Sequence, residues 1–205
     1  MTKHTADGEA APDTDDRPDL GAPDAVRTFG LLYDRHALAL HRYLGRRVGG
    51  AADDLVADTF LVAMQQRARY DPARGTARAW LYGIATNLLR GHVREEARIL
   101  HASARADAGR TGQGDTHDGR VADMVDAQVR TRRLAEAIAG LDPGNRDVLL
   151  LSSWAALDVA EIAEALDIPV ATVRTRLHRT RRRLQAHIRS ADAISARRAR
   201  GGKTR

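Results

Sequence analysis

LDVAEIAEALDIPVATVRTRLHRTRRRL, the stretch from Leu157 to Leu184, decides the fold of the second half of this chain. Its apolar residues recur at helical spacing up to Leu166. The break Asp167-Ile168-Pro169 follows, and a second helix is predicted from about Val170, because proline is tolerated where a helix starts. Two short helices joined by such a turn are typical of a helix-turn-helix.

The second of these helices is strongly basic and has one apolar stripe. Val173, Leu177 and Leu184 form the stripe, and Val173 is predicted to anchor against the small Ala163 of the first helix. Guanidinium groups bond phosphates and guanine edges, so the remaining face is predicted to bind DNA. The candidate residues on it are Thr172, Arg174, Thr175, Arg176, His178, Arg179, Arg181 and Arg182. A solvated cationic helix on an ordinary bundle is the alternative interpretation.

Charge is unevenly distributed along the 205 residues. Lys and Arg number 33 against 27 Asp and Glu, and the net charge of +6 suggests a polyanionic partner. Residues 1–24 are acidic and nearly devoid of large apolar side chains, so a disordered arm is expected there. Residues 101–125 have the composition of a flexible linker, and residues 191–205 that of a basic disordered tail. The absence of cysteine excludes disulfides and thiolate metal sites.

The rest of the chain has helical periodicity throughout. Helices are predicted at about 25–48, 52–67, 76–98, 121–141 and 146–155, with residues 142–145 as a turn. Trp80 is predicted to pack in the core of the first group of helices. No stretch alternates as a strand would, so the expected class is all-α. It comprises two small helical domains, residues 25–100 and 126–190, on a flexible linker.

No catalytic constellation is present in the sequence. It contains no GK[ST] loop, no GxSxG and no HExxH. Asp53, Asp54 and Asp58 could hold Mg²⁺ for a nuclease, but the helix dipole already favours carboxylates in a first turn. The histidines and aspartates between residues 101 and 118 lie in a segment too unstructured to hold a metal ion. We therefore expect no catalytic residue, no metal, no cofactor and no enzymatic activity.

Two stretches resemble bacterial sigma factors of the extracytoplasmic-function (ECF) group in the sigma-70 family. DDLVADTFLVAM with RGTARAWLYGIATNLLRGHVR is similar to region 2, and LDPGNRDVLLLSSWAALDVAEIAEALDIPVATVRTRLHRTRRRL is similar to region 4. The resemblance covers roughly residues 26–98 and 126–188. It implies a transcription-initiation subunit that binds core RNA polymerase, recognises the minus-35 and minus-10 promoter elements and promotes DNA melting.

The resemblance also implies roles for particular residues. The basic face of the recognition helix would bind the minus-35 element. Reading and melting of the minus-10 element would fall to Arg74, Arg78, Trp80, Asn87, Arg90 and Arg94. Docking on the clamp helices of the largest polymerase subunit would fall to Asp53, Asp54, Asp58 and Phe60, and the polymerase flap would receive region 4. An anti-sigma factor is a further partner open to such a protein. The family often has Gly in the helix-turn-helix turn, where this chain has Asp167.

Two other classes of function compete with this one. A stand-alone regulator would bind an operator as a dimer through residues 126–188. It would need a ligand or receiver domain, and residues 26–98 lack the strands of a receiver domain. A nuclease would cleave plasmid DNA in a metal-dependent way. The sequence has no apolar run of about 18 residues and no signal peptide, so no membrane partner is predicted and the cytoplasm is the expected compartment.

Overall fold

The computed structural model describes residues 16–21, 23–107 and 134–201, and the regular structure in these ranges is helical. The helices are α1 (Ala25–Val48), α2 (Ala52–Gln65), α3 (Ala77–Asp107), α4 (134–139), α5 (Pro143–Ser153), α6 (Val159–Leu166) and α7 (Val170–Gly201). Short 3-10 helices lie at Gly49–Ala51 and Arg67–Arg69. The predicted all-α class is confirmed. Within the described ranges, no helix has both the length and the apolar character needed to cross a membrane.

The chain divides into two compact units, Met1–Leu88 and Leu89–Arg205. The core of the first unit is built from the facing sides of α1, α2 and α3. Buried Tyr43 on α1 meets buried Tyr82 on α3 edge to face, with 5.3 Å between ring centroids. The Tyr43 hydroxyl also lies 3.2 Å from Thr86 Oγ1, so the buried polar atoms of this contact are paired. Gly49, at φ +54, ends α1 in a conformation that favours glycine.

The second unit is built around α5. Residues 142–145, predicted as a turn, instead begin this helix. Asp142 is its N-cap and accepts a hydrogen bond from Asn145 N at 3.0 Å, while Pro143 occupies the first helical position. An Asp cap followed by proline is a helix-start signal, because proline lacks the N–H that would be unpaired there. The predicted apolar run Val148–Leu151 is buried and forms the middle of this unit.

Two helices extend beyond their predicted ends. α3 continues to Asp107, past the predicted end near Arg98 and into the predicted linker. α7 continues to Gly201, through most of the predicted disordered tail. Both extensions are rich in Ala and Arg, which have high helix propensity. The remainder of the predicted linker, residues 108–125, lies outside the described residues.

The N-terminal arm also differs from its prediction. Residues 16–21 are described, and Asp16 and Leu20 are buried. The expectation of disorder is therefore wrong for this part of the arm, and residues 1–15 lie outside the described residues. The physical reason is a set of contacts with α1 and α3, which no local sequence pattern announces.

Candidate nucleic-acid interface

The turn between α6 and α7 is fixed by hydrogen bonds at both ends of α6. Asp158 Oδ1 accepts a hydrogen bond from Glu161 N at 2.8 Å, and Glu161 Oε2 accepts one from Asp158 N at 2.8 Å. This reciprocal arrangement is a capping box. At the other end, Asp167 has φ 49 and ψ 52, and Ile168 N donates to Ala163 O at 3.0 Å. A left-handed residue thus stands where the family often has glycine.

Helix α7 packs through the predicted apolar stripe. Val173 is fully buried and Leu177 is 5% exposed, and α7 contacts both α5 and α6. Thr180 completes the buried face, and its Oγ1 has no hydrogen-bond partner among the residues that the structure describes. With 3.6 residues per turn, the side chains pointing away from this face are those expected to be exposed. The helix-turn-helix prediction is consistent with this packing.

Most of the proposed minus-35 residues lie together on the exposed side of α7. Arg174, His178, Arg181 and Arg182 line a pocket of about 360 Å³, which Val159, Leu177 and Gln185 complete. Thr175 and Arg179, four residues apart, form the neighbouring exposed strip. The Thr175 hydroxyl donates to Ala171 O at 2.9 Å. The result is a concentrated cationic surface on one side of a helix.

Two predicted minus-35 residues are placed differently. Thr172 and Arg176 are only partly exposed. The Arg176 guanidinium lies against the start of α5, because a Cβ added at Gly144 would stand 2.7 Å from one of its terminal nitrogens. Arg176 therefore packs within the second unit as well as facing solvent, unlike the fully exposed arginines.

Three of the proposed minus-10 residues share a face of α3. Trp80, Asn87 and Arg94 are spaced by seven residues, which is close to two helical turns. Asn87 and Arg94 are exposed. Trp80 is partly exposed and packs on Tyr70, with 5.1 Å between ring centroids. It therefore combines the predicted packing role with an accessible edge.

The other proposed minus-10 residues lie elsewhere. Arg74 is exposed in the turn before α3. The Arg78 guanidinium lies over the Tyr82 ring, 5.9 Å from its centroid, on another side of the helix. Arg90 Nε donates to Asp147 Oδ2 at 2.6 Å, and the Asp147 side chain is 1% exposed. A carboxylate buried so completely requires a charged or hydrogen-bonding partner. Arg90 is therefore engaged inside the chain.

The proposed polymerase-docking residues lie on α2. Asp54 and Asp58 are exposed, and neither has an ion-pair or hydrogen-bond partner among the described residues. Asp53 Oδ1 lies 3.2 Å from His41 Nε2 in an exposed pair. Phe60 is 9% exposed and its ring packs on Tyr33, so Phe60 helps hold α2 against α1. Of these four residues, Asp54 and Asp58 have the carboxylates that are most accessible to a partner.

Sequence reasoning missed one residue on this face. Leu61 is 55% exposed and stands seven residues after Asp54 and three after Asp58, on the same side of α2. An apolar side chain on an otherwise polar helix face is the signal that could have identified it. Within the described residues, no group of three or more His, Asp or Glu side chains is arranged to hold a metal ion.

Comparison with known proteins identifies both halves of the chain. The family models described as "Sigma-70 region 2" and "Sigma-70, region 4" match residues 32–99 and 131–184. The ECF RNA polymerase sigma factor SigL of Mycobacterium tuberculosis is 35% identical over 149 residues, covering 72% of this chain and 81% of SigL. The chain belongs to the ECF group of the sigma-70 family. As a sigma factor it binds core RNA polymerase, recognises minus-35 and minus-10 promoter elements and promotes DNA melting.

Other relatives agree with this assignment. The sigma factor CarQ of Myxococcus xanthus is 32% identical over 161 residues, covering 78% of this chain and 86% of CarQ. A solved structure of CnrH with the cytosolic domain of CnrY matches with a TM-score of 0.54 and 28% identity, over 80% of this chain and 90% of CnrH. The region 2 match thus includes α2 and most of α3, and the region 4 match includes the helix-turn-helix.

Proposed function

We propose that the exposed basic side of α7 is the minus-35 reader of this sigma factor. The observation that carries the proposal is the joint placement of Arg174, His178, Arg181 and Arg182 around one concave surface beside α6. Thr175 and Arg179 extend it along the helix. Arginine recognises guanine bidentately, and His and Thr provide further hydrogen bonds to base edges or phosphates. Thr172 and Arg176 flank this surface and contribute less to base recognition, because they are partly buried.

The minus-10 element is proposed to meet α3 and the turn before it. Trp80, Asn87 and Arg94 offer an aromatic edge, an amide and a guanidinium along one helix face, and Arg74 and Arg78 stand at its start. Unpaired bases are held by stacking and by hydrogen bonds to their exposed edges. Arg90 supports this helix through Asp147 and is not proposed as a direct base contact.

The acidic face of α2 is proposed to dock on core polymerase. Asp54 and Asp58 supply the charge, Leu61 supplies an apolar contact, and Asp53 and Phe60 support the surface. The partner chemistry that fits is a basic helical surface with an apolar centre, as the clamp helices implied by the family would provide. Exposed carboxylates steer association and fix register more than they add affinity.

Charge reversal tests the docking assignment. The double substitution Asp54→Lys/Asp58→Lys should abolish assembly with core polymerase, measured by competition with the unmodified protein. The fold should be retained, since neither carboxylate has a partner among the described residues, but the melting temperature should fall slightly, because Asp54 lies in the first turn of α2, where the helix dipole favours a carboxylate. The matched control is Asp24→Lys/Asp34→Lys, which changes the net charge equally at exposed positions of α1 and its start. Retained assembly of the α2 variant, or equal loss in the control, contradicts the assignment.

The remaining functional assignments follow from the family. We propose domain boundaries of about 25–100 for region 2 and 126–190 for region 4, joined by a linker. The protein is proposed to act in the cytoplasm, without catalysis of its own, through polymerase and promoter DNA. An anti-sigma factor is proposed as a further partner, a proposal supported by the structure of CnrH with CnrY. A stand-alone regulator is not favoured, because region 2 is present.

A further inference from the structure

A five-residue segment of the N-terminal arm, Asp16–Leu20, is held against α1 and α3 through the contacts of Asp16. This segment is called the clasp here. Asp16 is 3% exposed and Leu20 is 2% exposed, although the surrounding sequence is acidic and polar. Asp16 Oδ1 lies 2.7 Å from Nε2 of His36, a buried residue of α1, and Arg35 lies on the solvent side of the same carboxylate. The clasp is thus anchored through a buried charge-assisted contact.

The other half of Asp16 caps the start of α3. Its Oδ2 accepts a hydrogen bond from Arg78 N at 2.9 Å, and its backbone oxygen accepts one from Ala77 N at 2.8 Å. Thr76 Oγ1 serves the next N–H, that of Ala79, at 3.1 Å. The first N–H groups of a helix have no partner within it, and their positive end favours a carboxylate. A cap from Asp16, some 60 residues earlier, therefore completes α3.

The clasp also touches the turn that precedes α3. The Arg17 guanidinium donates to the backbone oxygen of Pro72. In the same turn, the Tyr70 hydroxyl donates to Gly75 O at 3.2 Å, while the Tyr70 ring packs on Trp80. Burial, and the nearby Asp16 carboxylate, raise the pKa of Tyr70 to about 12, so its hydroxyl remains a donor at neutral pH. The turn is fixed at its middle by Arg17 and at its end by Tyr70.

We propose that the clasp is a positioning element for promoter melting, in which Asp16 and Arg17 hold the turn at 70–75 and the first turn of α3 in the geometry that engages unpaired minus-10 DNA. This inference rests on the proposed role of α3 in minus-10 binding. The clasp itself touches no base. It acts through Arg74, Arg78 and Trp80, whose backbone it fixes, and its loss leaves the α2 face and the helix-turn-helix unchanged.

The test uses full-length holoenzyme on a promoter defined by sequencing the 5′ ends of transcripts made in vitro. Asp16→Ala removes the carboxylate contacts with His36 and with Arg78 N. Asp16→Asn keeps an acceptor for Arg78 N and loses the charge. Asp19→Ala is the matched control, because Asp19 is an exposed clasp carboxylate whose hydrogen bond to Gly21 N is local. The readouts are the rate of permanganate reactivity at the minus-10 element and the affinity for core polymerase.

Asp16→Ala should slow opening of duplex promoter about tenfold, because it removes charge-assisted hydrogen bonds, which are stronger than neutral ones. A tenfold slower rate corresponds to about 1.4 kcal/mol of lost transition-state stabilisation. Asp16→Asn should fall between it and the unmodified protein, and Asp19→Ala should have no effect. Transcription from a promoter with a pre-opened minus-10 bubble should be restored, and core affinity should stay unchanged. Restoration by the bubble is the result that a merely structural role would not give.

Two results overturn the inference. One is an opening rate for both Asp16 variants equal to that of the control. The other is equal loss of core affinity and of bubble transcription, which would make Asp16 only a stabiliser of the fold. The variant Arg74→Ala/Arg78→Ala distinguishes a wrong role for the clasp from a wrong assignment of α3 to the minus-10 element. If it opens promoters normally, the minus-10 assignment itself is wrong; if it is slow while Asp16→Ala is normal, only the clasp is wrong.

Discussion

Two arginines in the same turn of α7 should behave differently when each is replaced by alanine. Arg174 is exposed and has no partner within the described residues, so its donors are available to DNA. Arg176 is partly buried against Gly144. A bidentate contact between arginine and guanine is worth about 1–3 kcal/mol of discrimination. Arg174→Ala should therefore weaken binding to the matched minus-35 element about 5- to 150-fold.

The matched substitution acts through stability instead. Arg176→Ala removes packing of the aliphatic stem and guanidinium on α5, and should lower the free energy of unfolding by about 1 kcal/mol. Its effect on DNA should be small and equal for matched and mismatched elements. Chemical denaturation of both variants measures the difference in the free energy of unfolding directly.

The assay is a competition titration of holoenzyme with three duplexes at one fixed salt concentration. They carry the promoter minus-35 element, the same element with single base-pair changes, and random sequence. Arg174→Ala should erase the preference for one base pair while leaving random-duplex binding nearly intact. If binding to all three falls by one factor, and the salt slope falls by about 1, Arg174 contacts a phosphate only and the reasoning is refuted.

Four further outcomes are expected. Asn87→Ala should slow open-complex formation, whereas Trp80→Ala should lower the free energy of unfolding by up to about 3 kcal/mol, because the Trp80 ring is only partly buried; permanganate footprinting and thermal melting separate the two effects. Thr180→Val should raise the free energy of unfolding by about 1 kcal/mol, since its buried hydroxyl has no partner in the described part of the chain, while Thr180→Ala should lower it. Asp167→Ala should lower it by about 1 kcal/mol because of the left-handed backbone, and Asp167→Gly should not. Burial raises the pKa of Asp16, but hydrogen bonds from His36 and Arg78 N and the nearby positive charges outweigh this effect, so the pKa lies below its ordinary 3.8. The stability that the Asp16 carboxylate adds is therefore present above pH 3.8 and lost in stronger acid. In denaturant titrations at such low pH, the unmodified protein and Asp16→Asn should become equally stable.

Helix positions and the recognition helix were predictable because their signals are local. The apolar stripe of α7, including Val173 and Leu177, follows from the 3.6-residue period, and both residues are buried. The break at Asp167 also predicted the turn correctly. The start of α5 was mistaken for a turn because Asp142 and Pro143 are favoured in turns as well as at helix starts. The capping interpretation would have been correct there.

What the sequence could not supply is the tertiary partner of each charged residue. The helical period places Arg176 nearer the buried face than Arg174, but only the structure shows that the Arg176 guanidinium lies against Gly144. Arg90 resembles a DNA contact until the buried carboxylate of Asp147 is found beside it. Partner choice depends on chain segments far apart in sequence, which periodicity does not encode.

The clasp is a second case in which tertiary contacts decide what the sequence pattern does not predict. Composition predicts disorder for residues 1–24, because apolar burial there is too small to offset the loss of conformational entropy. The argument fails at Asp16 because one buried carboxylate with several partners stabilises the ordered segment, and Leu20 is buried as well. A mean over 24 residues cannot reveal two residues that differ from their neighbours.

The net charge of this protein does not show that its acidic and basic residues form two separate exposed faces. The value of +6 favours a polyanionic partner and gives no hint of a second, basic one. The structure resolves it into an exposed acidic face on α2, in the first unit, and an exposed basic face on α7, in the second. Because surface charges act mainly within about 10 Å at 0.1 M salt, each face acts on the partner that contacts it directly. A subunit that binds both a basic polymerase surface and polyanionic DNA needs two such faces of opposite sign, which a net charge of +6 does not reveal.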